Sequence, residues 1–131
     1  MIRLSQAFAP VVHANGGGGI VDVLSDQSWF ARPFPAAYAA SKSAAWSYTN
    51  ALRIDLREQA TQVLGLHVGF LDTEFVAGLD VKKSDPRHIA GLTLDGLEAG
   101  DEEVLADAQA RLVKNTLSAA KTSYLAPAEI A

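Results

Sequence analysis

Two short apolar runs separated by one long alanine-rich stretch constrain this chain more than any other feature. The first, Ile20-Val21-Asp22-Val23-Leu24, is β-branched and reads as a buried strand. The second, Val-Leu-Gly-Leu-His-Val-Gly-Phe at 63–70, reads the same way. Between them, residues 37–60 are rich in Ala and carry Arg53, Arg57, Glu58 and Gln59 toward the far end, which reads as a long helix. A crossover of more than a dozen residues between two strands dictates parallel pairing, and hence an α/β sheet.

The flanking segments fit the same plan. Residues 2–14 place Leu4, Phe8, Val11 and Val12 at helical spacing, and no capping side chain precedes them. Asn15 and glycines 16–19 then stop that helix. Residues 25–36 form a loop containing Pro33 and Pro35, and short helical pieces are expected near 73–78. Asp85-Pro86 opens a further helix running to about Glu98, since Pro suits a first helical turn. A short strand at 103–106, a last helix at 107–120 and a loose tail at 121–131 complete a single domain.

Composition narrows the class of partner. Of 131 residues, 49% are hydrophobic and 20% charged, as in an ordinary folded chain. The net charge of −4 and the scatter of basic residues among acidic ones argue against a nucleic-acid surface. There is no cysteine, so no disulfide framework or thiolate chemistry is available. No run approaches the ~18 apolar residues of a membrane span, and the first ten residues lack the pattern of a secretory signal. A cytoplasmic protein is the expectation. His13, His67 and His88 show no ligand spacing, so no metal is expected, and His67 reads as a hydrogen-bonded core histidine.

The chemistry-bearing pattern is Tyr38-Ala39-Ala40-Ser41-Lys42, with Ser25 thirteen positions before the tyrosine. Residues four apart share a helix face, so an ammonium and a phenol project together there. The ammonium favours the phenolate, which suits a general acid/base acting on an alcohol or carbonyl. Ser25, at the end of the preceding strand, is placed to donate a hydrogen bond to the same substrate oxygen. Taken as a pair alone, Tyr38 and Lys42 read as surface neighbours; Ser25, the strand before it and the small residues 39–41 reverse that reading.

Together with the strand before them, Ser25, Tyr38 and Lys42 resemble the Ser, Tyr-x-x-x-Lys constellation of the short-chain dehydrogenase/reductase family. The resemblance implies that Tyr38 is the acid/base, that Lys42 lowers its pKa and holds the nicotinamide ribose, and that Ser25 positions the substrate oxygen. A second match, Val68-Gly69-Phe70-Leu71-Asp72-Thr73, is similar to the family's Pro-Gly-x-x-x-Thr turn, with Val68 in place of the proline. It implies that Gly69, Leu71 and Thr73 bind the nicotinamide carboxamide. Asp22 and Leu24 stand where the family often has Asn and Ser. Trp29, Phe30 and Phe34 either line an apolar substrate pocket or pack the loop.

What the resemblance implies is a partial Rossmann-like, doubly wound parallel sheet, equivalent to the second half of a family member over residues 1–119. The βαβ units that grip the dinucleotide are not in this sequence. Glycines 16–19 follow a helix and precede a strand, the reverse of a dinucleotide fingerprint. Asn15 and Asn50 sit at the wrong places to supply the family's structural asparagine. The expected cofactor is NAD or NADP, NADP being slightly preferred although the residues that choose between them are absent. The expected substrate is a small alcohol or carbonyl compound. Homo-oligomerisation is expected through the helix starting near Tyr38, with Ala44, Ala45, Tyr48, Leu52 and Leu56 as a face that serves equally for packing on the sheet. The uncapped first helix suggests a truncated oxidoreductase, with Met1 an internal methionine of a longer frame; the alternative function is an inactive remnant or oligomerisation module that does not bind cofactor alone.

Overall fold

The alternation of β-branched runs and alanine-rich segments becomes a three-stranded parallel sheet in the order β1-β2-β3. The computed structural model describes residues 1–32, 36–122 and 124–125. Phe34 and most of the expected tail, residues 123 and 126–131, lie outside the described residues. In chain order the elements are α1 (Ile2–Ala14), β1 (Gly18–Val23), α2 (Ala36–Asp55), β2 (Thr61–His67), α3 (Pro86–Ala99), β3 (Glu103–Leu105) and α4 (Ala108–Asn115). β1 and β2 run in register from Gly18 opposite Thr61 to Val23 opposite Leu66. β3 adds to the other edge of β2, from Gly65 opposite Glu103 to His67 opposite Leu105.

β2 is central and buried on both faces, and its period of two divides the core. Leu64, Leu66 and Val68 face α3 and pack with Ile89 and Ala106. Val63 faces the other way, where Ala9 of α1, Leu52 of α2 and Leu56 just beyond it cover it. Of the residues named for a face on α2, Leu52 and, just past the helix end, Leu56 pack inside this chain, with Tyr48 partly buried beside them. On α1 the outcome is the opposite. Leu4, Phe8 and Val11 have the spacing of a helix but are exposed, and the buried positions are Ser5 and Ala9. Periodicity identifies the helix; it does not say which stripe meets the sheet.

Element ends follow local chemistry. α2 stops at Asp55, earlier than composition suggests, because a 3-10 turn at Arg57–Gln59 leads to Ala60 in the left-handed region at φ 50°. Gly17 takes φ +101°, and a Cβ there would lie 2.4 Å from the Ala60 carbonyl oxygen, so only glycine fits where the α1–β1 turn crosses the α2–β2 turn. β1 thus begins at Gly18, inside the glycine run. The expected helical pieces after β2 reduce to one 3-10 turn, Glu74–Val76. Asp85 caps α3 through the Arg87 N–H with Pro86 in its first turn. α4 ends at Asn115, where the Thr116 hydroxyl donates to the Leu112 and Val113 carbonyls. No helix among the described residues is long and apolar enough to cross a membrane.

Candidate active site

Ser25 follows the C-terminal end of β1 and the Gly69 turn follows that of β2, which is where open parallel sheets bind ligands. The chain leaves β1 while its ladder with β2 continues: the Leu24 N–H donates to the Leu66 carbonyl at 2.8 Å and the Asp26 N–H to that of Val68 at 3.2 Å. Ser25, extended at φ −155°, caps a 3-10 turn over Asp26–Ser28. Its hydroxyl donates to Asp26 Oδ1 at 3.0 Å and accepts the Gln27 N–H at 3.2 Å. Ser25 is therefore buried with its proton already committed, not free to donate outward as its position in the sequence suggests.

Asp26 and Arg32 were not distinguishable as site residues in the sequence. Arg32 Nη2 lies 2.8 Å from Asp26 Oδ2, with both side chains almost fully buried. Burial pushes the Asp26 carboxyl up, and Arg32 and the Ser25 hydroxyl pull it partly back. The Arg32 guanidinium also lies 5.1 Å from the Phe30 ring centre and 4.8 Å from that of Phe70, against an aromatic from each strand-end loop.

Tyr38 and Lys42 share the first turns of α2, as four-residue spacing requires. Lys42 Nζ sits 5.7 Å from the Tyr38 ring centre and donates to the Val23 carbonyl at 2.8 Å. Partial burial pulls the Lys42 ammonium below the usual lysine value. The Ser43 hydroxyl donates to the Ser28 carbonyl at 2.9 Å, fastening α2 to the turn that holds Ser25.

At the end of β2, Gly69 is held from beyond β3. The Asp107 carboxylate caps α4 through Oδ1, 2.7 Å from the Ala110 N–H, and receives the Gly69 N–H on Oδ2 at 2.7 Å. A Cβ on Gly69 would meet Asp107 at 3.1 Å and Asp26 at 3.7 Å, so two carboxylates flank this glycine. Leu71 bridges to Ser84. Thr73 is exposed, its hydroxyl 3.5 Å from the Leu71 carbonyl. In the sequence Asp107 reads only as the start of the last helix; its bond to Gly69 is long-range.

Trp29 and Phe30 are buried, packed with Val113, Trp46, Leu105 and Leu117, so in this structure they pack the loop and do not line an open pocket. His67 is fully buried, its ring stacked on Trp29 at 3.9 Å and Nδ1 3.3 Å from the Ser25 carbonyl. Its Nε2 faces Glu103 at 3.6 Å, and Lys114 holds the same carboxylate at 2.6 Å. His67 and Lys114 together hold the Glu103 carboxyl at about 2. The His67 separation is longer than a hydrogen bond, whereas Lys114 is in direct contact.

The short chain dehydrogenase family model matches residues 1–84, across β1, the Ser25 turn, α2, β2 and the Gly69 turn. This chain belongs to that family, and its α/β sheet is part of a Rossmann-like fold. A short chain dehydrogenase from Burkholderia cenocepacia, solved in complex with NADP, superposes with a TM-score of 0.85 at 32% identity, covering 91% of this chain and 50% of that one. Dehydrogenase/reductase SDR family member 7B of Danio rerio is 37% identical over 75 residues, 57% of this chain and 23% of its own length. Gluconate 5-dehydrogenase of Gluconobacter oxydans is 36% identical over 76 residues, 58% of this chain and 30% of its own length. The chain thus spans less than a third of these curated relatives and half of the solved structure.

Proposed function

We propose that this chain carries the proton-transfer part of a nicotinamide-dependent oxidoreductase acting on a small alcohol or carbonyl compound. The observation that carries the reading is the pairing of Lys42 with Tyr38 on α2, anchored to the end of β1 through Val23. In this reading Tyr38 takes the hydroxyl proton during oxidation and returns it during reduction. Lys42 supplies positive charge beside the phenol, and Ser25 faces the substrate oxygen. The membership of this chain in a dehydrogenase family, and the NADP held by its solved neighbour, support the assignment.

The residues present fit the nicotinamide end of the cofactor. Lys42 is a half-buried cation for a ribose hydroxyl, and the backbone at Gly69 and Leu71 with the exposed Thr73 hydroxyl suits a carboxamide. The glycine run does not suit the phosphates, because Gly17 is closed against Ala60. When bound, the nicotinamide accepts or returns the hydride. Nothing in the residue set chooses between NAD and NADP.

A second reading, a cofactor-free oligomerisation module, is favoured by one observation. Met1, Leu4, Phe8 and Val23 are exposed around a groove of about 480 Å³ along the outer edge of β1. Calorimetric titration with NADP+ and NAD+, followed by turnover of an alcohol and carbonyl panel at the nicotinamide absorbance, separates the two. Saturable binding and turnover abolished by Tyr38→Phe support the oxidoreductase. Binding of neither dinucleotide sinks it.

A further inference from the structure

The peptide unit between Val68 and Gly69 is held at both of its polar groups. Its carbonyl accepts the Asp26 N–H at 3.2 Å, from the turn after β1. Its N–H, on Gly69, donates to Asp107 Oδ2 at 2.7 Å, at the start of α4. A peptide unit is planar and its two polar groups point opposite ways, so bonds to both fix its orientation. Residue 68 is a valine, and no proline ring restrains the backbone there. Beyond Gly69, Ser84 continues the hold: its N–H donates to the Phe70 carbonyl at 2.8 Å, and its carbonyl accepts the Asp72 N–H at 2.9 Å.

Capping alone does not account for a carboxylate at position 107. Ser, Asn and Asp cap a helix about equally well through one oxygen. Asp107 uses Oδ1 for the Ala110 N–H at 2.7 Å, as any of the three would, and has a second acceptor oxygen for Gly69. A serine has one oxygen, and an asparagine puts a donor NH2 in the second place. The helix that Asp107 caps also packs on the loop after β1, through Val113 against Trp29 and Phe30. One side chain thus ties the turn after β2 to the helix that packs on the loop after β1.

We propose that Asp107 is a positioning residue for the nicotinamide end of the site: by holding the Gly69 N–H it makes this turn favour a carboxamide over a carboxylate. This deepens the oxidoreductase reading and rests on it. With its N–H held, Gly69 has its carbonyl to present, and a carbonyl accepts from an amide NH2 but not from a carboxylate. Charge acts in the same direction. A Cβ on Gly69 would lie 3.1 Å from Asp107 Oδ2 and 3.7 Å from Asp26 Oδ2, so two carboxylates flank the position. Arg32 matches the charge of Asp26, whereas Asp107 is met by the N–H groups of Gly69 and Ala110. An anionic group brought to the turn is repelled, and a neutral amide is not.

Two measurements on the 131-residue chain test this. Asp107→Ser keeps a cap on α4 and removes the second acceptor and the charge; Asp107→Asn does so with the shape kept. The first measurement needs no ligand: amide hydrogen exchange followed by NMR. Exchange at Gly69 is expected to speed up about tenfold or more in both variants, while Ala110 stays within about twofold of wild type. Unchanged exchange at Gly69 overturns the proposal. The second titrates wild type and Asp107→Ser with nicotinamide mononucleotide and with nicotinic acid mononucleotide, which carries a carboxylate in place of the carboxamide. Wild type is expected to prefer the amide, and the preference to fall about fivefold or more in the variant. Weaker binding of both with the preference unchanged marks a structural role alone and overturns the proposal. If wild type binds neither mononucleotide, the oxidoreductase reading fails, and the ligand-facing role of the turn fails with it. The exchange result identifies that case, because it reports the Asp107–Gly69 bond in the free chain.

Discussion

Lys42 donates a 2.8 Å hydrogen bond to the carbonyl of Val23, the last residue of β1, while its ammonium stays 5.7 Å from the ring centre of Tyr38. One cation thereby fixes the start of α2 against the end of the strand that delivers Ser25. The proposed proton-transfer residue and its electrostatic neighbour are both tied to the end of β1.

Lys42→Met removes the charge and keeps much of the stem, so it tests this arrangement at the level of chemistry. Turnover is expected to fall by about 100-fold or more, with the far-UV circular dichroism spectrum unchanged. Retention of wild-type kcat in a folded variant would remove Lys42 from the mechanism.

Glu103 makes a prediction about acid stability. Its carboxyl is held at about 2 against an ordinary value of 4.5. A depressed carboxylate contributes stability that is fully present above the unfolded value and is lost as pH falls through the folded one. The window is therefore from about pH 5 down to about pH 2. Wild type is expected to lose about 1–2 kcal/mol more across it than Glu103→Gln. Urea midpoints measured at several pH values decide this; parallel curves for the two proteins would contradict it.

The centre of the sheet should be the part least tolerant of truncation. Leu64 is completely inaccessible and packs with Ile89 and Ala106. Leu64→Ala is expected to destabilise by about 2–5 kcal/mol. On the exposed stripe of α1, where Phe8 is 58% exposed, Phe8→Ala should change the chain's unfolding midpoint little. A comparable loss at both sites would mean that something covers α1 in solution.

Gly91 offers a stabilising change. It lies within α3, and a Cβ there would meet nothing within 4 Å. Gly91→Ala is expected to stabilise by about 0.5–1 kcal/mol by restricting the unfolded chain. Gly17→Ala should do the reverse, because its φ is positive and a Cβ would strike the Ala60 carbonyl. Thermal midpoints of the two variants moving in the same direction would overturn this pair.

How far the sequence alone reached can be judged from particular residues. The parallel sheet was legible because a strand, a long helix and another strand leave few alternatives. Tyr38 and Lys42 were legible because helical periodicity brings residues four apart onto one face. His67 was legible as a core residue, though not as the neighbour of Glu103 and Trp29. The partner of the apolar stripe on α2 was not legible, because such a stripe at helical spacing packs equally on a sheet or on another helix. Leu52 and Leu56 pack toward β2.

What the sequence by itself determined are the properties carried by local geometry: the order of strands and helices, the parallel pairing their connections require, and the shared face of Tyr38 and Lys42. Only the tertiary structure decided the direction of the Ser25 proton, the placement of Arg32 between Asp26 and Phe70, and the capture of the Gly69 N–H by Asp107. These contacts depend on how the turn after β1, the turn after β2 and the start of α4 meet at one edge of the sheet. The physical reason is range. A helix repeats its geometry every few residues, so its faces can be read along the chain. A carboxylate 38 positions from the amide it holds is located only once the strands have paired.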